Sequence, residues 1–189
     1  MIDLVLEDFD NPEKYGFSAF YKVNTYKIKS QKEINKIKDK IVIVEGGDLN
    51  YEILTSSNVD ILLNPETEGG KDFLHHRNSG LNQSLCKLAY KKGIIVAISI
   101  SRLLESNNKA ELIGRIKQNV RLCRKYKIPV LISSFASKEE NLRNYNDIKT
   151  LALFLGLSTQ DFKESSYLFE KLLKDKEEVV IPGLRVLKN

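Results

Sequence analysis

The chain has 189 residues, 42% hydrophobic and 29% charged, with a net charge of +5; that is enough for one well-packed domain and excludes a disordered or fibrous class. Its longest apolar runs, "DILLN" and "GIIVAISI", are too short to span a bilayer, and Cys86 and Cys123 are too few for a disulfide framework. The opening "MIDLVLEDFD" has acids where a signal peptide carries its basic region, so a cytoplasmic protein is expected.

In chain order, short β-rich runs alternate with helical patterns. Strands are expected at Ile2–Leu6 and Phe17–Val23. Ser30 reads as the cap of a helix over Ser30–Lys40, with Glu33 completing a capping box. A strand over Ile41–Glu45 runs into Glu45-Gly46-Gly47-Asp48, where the glycines supply a turn and Asp48 is placed to cap a helix over Leu49–Ser56. In a barrel, Glu45 at that strand end is alternatively a base or a metal ligand. Asp60–Asn64 is the next strand. Gly69-Gly70 in "PETEGGKD" lacks the Lys-Ser/Thr of a P-loop and reads as a loop tip. His75 and His76, the only histidines, are adjacent loop residues, which rarely converge on one metal, and are expected to be exposed imidazoles.

Residues 80–92 place Leu81, Leu85, Leu88 and Ala89 on one stripe that stops at Gly93. A strand at Ile94–Ser99 follows. A long helix near 108–127 buries Ile113, Ile116, Val120 and Cys123 before Pro129 stops it. After a strand at Val130–Ser133, a helix over 146–155 buries Ile148, Leu151, Ala152 and Leu155, and a last helix spans 159–176. A weaker strand lies at Gly183–Leu187. The runs "IVIV" and "IIVAISI" are continuous, as in strands buried on both faces of a parallel sheet. The alternation predicts a parallel α/β fold, a barrel or a doubly wound sheet, in a single domain over 1–189. No G-x-G-x-x-G follows the first strand, and six or seven β units tip the reading toward a barrel-like arrangement.

The charge is unevenly spread. Residues 69–138 hold fourteen Lys/Arg against three acids, Asp72, Glu105 and Glu111, while the flanks hold sixteen against twenty-two. This fits a polyanion-facing surface and, on charge alone, equally a solvated lysine-rich face. Lys117, Arg121 and Arg124 share one face of the long helix, joined by Arg115, Lys125 and Lys127, and no acid appears between Glu111 and Glu139 to neutralise them. Such a stripe is suited to tracking phosphates. Apart from Tyr126, between Lys125 and Lys127, aromatics are not interleaved with these cations, so any RNA binding is expected to be to backbone and shape. Ser133 and Ser134 have no nucleophile elbow and no orienting His, and are expected to bond loop backbone or a ligand phosphate. No catalytic residue, metal ligand or cofactor is assigned.

Five stretches together resemble archaeal ribonuclease P protein component 3, homologue of the eukaryotic subunit of about thirty kilodaltons. They are "IVIVEGGDLN", "VDILLNPE", "RNSGLNQSLCKLAYKKGIIVAISI", "CRKYKIPVLISSFAS" and "NLRNYNDIKTLALFLGLS". The resemblance runs from about residue 41 onward and implies a TIM-barrel-like (β/α) fold, related to barrel-type metal-dependent phosphoesterases but without their metal ligands. It also implies a non-catalytic subunit of an endoribonuclease whose RNA removes the 5′ leader of precursor tRNA. The implied partners are the ribonuclease P RNA, protein component 2 in a two-plus-two assembly, other ribonuclease P proteins and, indirectly, precursor tRNA. No membrane is implied. Ser133, Ser134, Ala136 and Arg143 match the family's strand-end loop, which would shape a surface for RNA or a partner. From charge and motif position, Lys71, Arg77, Lys117, Arg121, Arg124 and Arg143 are the expected RNA-binding residues. The chain departs from the family at Gln83, where a His is common, and at Phe135, where a small residue is common. The alternative is a metal-dependent phosphoesterase of the same barrel class, which requires several His and carboxylates to converge.

Overall fold

In a computed structural model of the chain, residues 1–66, 71–72, 74–181 and 184–185 are described, with the backbone alone for 166, 177–181 and 184–185. The elements are β1 (Ile2–Val5), β2 (Ala19–Lys22), α1 (Gln31–Ile34), β3 (Ile43–Glu45), α2 (Asn50–Thr55), β4 (Ile61–Leu63), α3 (Gln83–Lys92), β5 (Ile95–Ser99), α4 (Ile100–Glu105), α5 (Lys109–Tyr126), β6 (Val130–Ser133), α6 (Tyr145–Leu155), α7 (Thr159–Glu178), β7 (Val179–Ile181) and β8 (Leu184–Arg185). Short 3-10 turns occupy Pro12–Tyr15 and Glu139–Asn141.

The fold is α/β with parallel sheets. β3, β4, β5 and β6 form one parallel sheet in that order, and β1 pairs parallel with β2. The two sheets meet at both edges. On one side Leu6 N donates to Ala136 O at 2.8 Å and Phe135 N to Leu4 O at 2.7 Å. On the other, Tyr26 N donates to Ile43 O at 3.0 Å and Glu45 N to Tyr26 O at 2.9 Å. β7 and β8 form a separate antiparallel pair. The weak strand expected at Gly183–Leu187 is described only at Leu184–Arg185, and the Gly69-Gly70 loop lies outside the described residues.

Both faces of β3 to β6 are buried, because successive side chains alternate between two cores. Val42, Val44, Leu62, Val96, Ile98, Val130 and Ile132 point outward and pack beneath helices through residues such as Ile116, Val120, Cys123, Ile148 and Phe162. Leu4, Ile43, Ile61, Leu63, Ile95, Ala97 and Leu131 form the second core. α7 closes that core with Phe169, Leu168, Leu172 and Leu173. Lys176 of α7 reaches Asp60 at 2.8 Å, at the entry of β4.

Three local expectations are corrected. The helix over Ser30–Lys40 shrinks to one turn, Gln31–Ile34, because Asn58 Nδ2 donates to Ile34 O at 3.2 Å and Ile37 O at 3.1 Å, using carbonyls that the next turn needs. Ser30 makes no side-chain cap bond, and Glu33 instead accepts from Lys29 N at 3.0 Å. α4 was not foreseen: the apolar run that forms β5 continues through Ile100 and Leu103, and Ser99 Oγ caps the new helix by accepting from Arg102 N at 3.2 Å.

Candidate nucleic-acid interface

The motif residues first converge on a buried polar network at the carboxyl ends of β3, β4 and β5. Asn50 lies at its centre. Its Oδ1 accepts from Gly47 N at 3.0 Å, and its Nδ2 donates to Pro65 O at 2.7 Å and Gly80 O at 2.9 Å. This bond tightens the turn that Asp48 was expected to cap; Asp48 makes no such bond, and the N-cap position falls to Leu49. Gly80 sits at φ +78°, and a Cβ there would stand 1.8 Å from Pro65 O. Asn64 Oδ1 accepts from Ser99 N at 2.8 Å. Arg102 spans the loop after β4, donating to Asn64 O at 3.0 Å and Glu66 O at 2.9 Å. Asn119 Nδ2 donates to Glu66 Oε1 at 2.9 Å and Ser79 O at 2.7 Å. Glu66 is buried, and that burial raises its pKa; the Asn119 bond and then the Arg102 and Arg115 charges act against the rise.

Ser133 and Ser134 belong to this buried layer and not to a surface. Ser133 Oγ donates a short hydrogen bond to Asp3 Oδ1 and accepts from Leu4 N at 2.7 Å, while Ser134 N donates to Asp3 Oδ1 at 2.9 Å. Ser134 O accepts from Ser101 Oγ at 2.7 Å and Ser101 N at 3.0 Å. The paired serines therefore tie β1 and α4 to the end of β6. Burial pushes the Asp3 carboxyl up, opposed by its bonds from Ser133 and Ser134. Phe135 takes φ 45°, in the region that favours small residues, and its ring is buried in the second core.

The cations divide into two groups. Arg115, expected on the exposed stripe, is 3% exposed and is held by Asp72 at 3.0 Å and by a short ion pair with Glu111. Arg77 pairs with Asp72 at 3.0 Å, and its guanidinium lies over Gly114 of α5. Arg124 donates to Gly156 O at 3.0 Å and meets Asp161 at 3.3 Å, so an acid remote in sequence does neighbour the stripe. Arg143 bonds Glu140 O at 2.8 Å and Leu142 O at 2.6 Å in its own loop. Lys71 and Arg121 are exposed. Lys117 Nζ stands 3.7 Å from the ring centroid of Phe154 on α6. α3 packs against one flank of α5 and α6 against the other. α3 carries no acid and exposes Lys87, Tyr90 and Lys91, so Arg121 and Lys125 lie on a broad basic face.

A polar cavity of about 730 Å³ opens where these strands end, lined by Glu45, Asp48, Glu66, Ser99, Arg102 and Arg115 among others. Glu45 there accepts from Thr25 Oγ1 at 3.2 Å and meets Lys27 at 3.3 Å. Among the described residues, no three His, Cys, Asp or Glu side chains are grouped to hold a metal ion, and His75 and His76 are exposed in their loop. Also among these residues, no helix is long and apolar enough to cross a membrane. Sequence reasoning missed Asn50, Asn64, Glu66, Arg102 and Asn119. Asn64 and Glu66 follow a strand run, a position that signals strand-end polar residues; Asn50, Arg102 and Asn119 lie on helices and carry no such mark.

A family model described as RNase P subunit p30 matches residues 24–178. Ribonuclease P protein component 3 of Methanococcus maripaludis (strain C7) is 31% identical over 149 residues, which covers 72% of this chain and 60% of that protein. The protein of the same name from Methanosarcina acetivorans is 32% identical over 129 residues, covering 66% of this chain and 51% of that protein. The chain thus spans about 60% or less of the length of these relatives. A chain in the cryo-EM structure of archaeal Ribonuclease P with mature tRNA matches with a TM-score of 0.73 at 21% identity, over 100% of this chain and 88% of that one, and shares its fold. The chain belongs to the RNase P subunit p30 family.

Proposed function

We propose that this protein is a subunit of ribonuclease P that supports the catalytic RNA in removing the 5′ leader of precursor tRNA and contributes no active site of its own. The observation that carries the reading is the basic face of α5, set beside the acid-free α3, on a chain whose relatives are named for this particle. Phosphate contacts from such a face are sequence-independent and suit a structural RNA. Arg121 and Lys71, exposed, are its leading contacts; Lys117, Arg124 and Arg77 hold the face in shape and, with Arg143 from the loop before α6, meet RNA through their remaining donors. Protein component 2, joined in a two-plus-two assembly with this chain, is the expected partner, alongside other ribonuclease P proteins, in the cytoplasm.

The bridges of β1 to the chain after β6 and of Tyr26 to β3 support a closed, single-domain barrel as its scaffold. The phosphoesterase alternative gains nothing from the cavity residues: Glu66 is engaged by Asn119, and Glu45 by Thr25 and Lys27. The test is reconstitution of the cognate RNA, component 2 and precursor tRNA, with and without this chain, at moderate magnesium. Leader removal that requires the chain is the expected result. No dependence, with component 2 shown to be folded and competent, would overturn the reading.

A further inference from the structure

The one aromatic among the cations of α5, Tyr126, is partly buried against the core, yet the fold brings an exposed ring to the helix from α6. Phe154 is 55% exposed, and Leu153 beside it is 41% exposed. The core side of α6 is Ile148, Ala152 and Leu155, so packing does not require a large ring at position 154. Lys117 sits at the ring, and Arg124 fixes the same end of α6 through Gly156 O. Arg121 lies one helical turn from Lys117 and is exposed.

The site therefore combines one exposed ring with flanking cations on a face poor in acids. Two exposed apolar side chains are too few for the core of a protein interface, which needs a clustered and well-packed centre. A ligand with flat rings and regularly spaced negative charges matches both features. In a duplex the bases are already stacked on one another, so only an unpaired stretch can present a free ring face. We propose that Phe154 is a stacking platform for a base in an unpaired segment of RNA, with Lys117 and Arg121 taking the phosphates on either side. This rests on the RNA-binding reading above and sharpens it. It assigns to this chain a contact to bases as well as to backbone.

The test uses the full chain, a short oligouridylate, an RNA duplex of equal length and the cognate ribonuclease P RNA, each titrated across several salt concentrations. Phe154→Ala is expected to weaken oligouridylate binding by between about fivefold and about a hundredfold, the range measured for losing one stacked base. The dependence on salt should stay as in the native chain, and duplex binding should be unchanged. Phe154→Tyr should restore affinity, since it keeps a flat ring. Because the ring is exposed, both variants should melt with the native chain. Equal affinity of Phe154→Ala and native chain for the oligouridylate and the ribonuclease P RNA would overturn the stacking role and leave the RNA reading intact. So would a variant that keeps RNA affinity but no longer assembles with component 2, since the ring would then belong to a protein interface. A chain that binds none of these RNAs would overturn both proposals.

Discussion

The carboxyl end of the sheet and the outer face of α5 are both rich in polar and charged residues, but they use them in opposite ways. At the sheet end, Asn50, Asn64, Glu66, Asn119, Ser133 and Asp3 are buried, and their bonds join α2, α5, β1, β5, β6 and the chain after β4. On α5, Arg121 and Lys125 face solvent. A buried polar group that loses its partner carries the full cost of desolvation, whereas an exposed cation exchanges its partner for water. The first region therefore specifies the fold, and the second is available to a ligand at little cost in stability. Even a single side-chain type separates this way: Arg115 is locked between Asp72 and Glu111, while Arg121, six residues on, is exposed.

The comparison is broken most readily at Gly80. Gly80→Ala puts a Cβ against Pro65 O at a backbone angle unsuited to a side chain, and should cost about 2–4 kcal/mol. Denaturant unfolding reads this directly, and a loss under about 0.5 kcal/mol would show that the network yields easily. Next, Asn119→Ala removes the bonds to Glu66 and Ser79 O and should cost about 1–3 kcal/mol in the same assay.

A third prediction concerns pH. Glu66 has a folded pKa above its unfolded value, so the folded state holds the proton longer than the unfolded one. Its contribution is fully present below the unfolded pKa and is lost as pH rises through the folded one. Glu66→Gln keeps the amide-sized acceptor for Asn119 but cannot ionise. Its stability relative to the native chain should therefore improve as pH rises from the acid side of the carboxylate range. Parallel pH dependences for the two proteins would mean that Glu66 does not titrate between folded and unfolded states.

The smallest effect on stability and the clearest on binding should come from Arg121→Ala. It should change unfolding free energy by less than about 0.5 kcal/mol, yet weaken RNA binding and reduce the steepness of its salt dependence by about one unit. A variant that binds RNA with the native salt dependence would remove Arg121 from the interface.

Much of the scaffold was legible in order. "IVIV" and "IIVAISI" identified buried parallel strands because burial on both faces leaves a continuous apolar run. Gly93 closed α3 in the left-handed conformation that its position after the apolar stripe implied. The charge map located α5 but misassigned Arg115, since the acids that bury it lie in another loop and one turn back on the helix. The serines of "LISSF" were visible as a strand end. Their direction was not, because the partner that draws them inward is Asp3, at the far end of the chain.

The sequence by itself determined what local chemistry decides: the strand and helix order, most helix stops, and the concentration of positive charge between residues 69 and 138. Tertiary structure alone decided which polar residues are buried and which meet solvent, because that depends on groups brought together across long separations. It brought Asp3 to Ser133, Glu66 to Asn119 and Phe154 to Lys117. Periodicity records which face of an element is apolar; it does not record what stands opposite, and that opposing surface is what separates a structural charge from one free to bind.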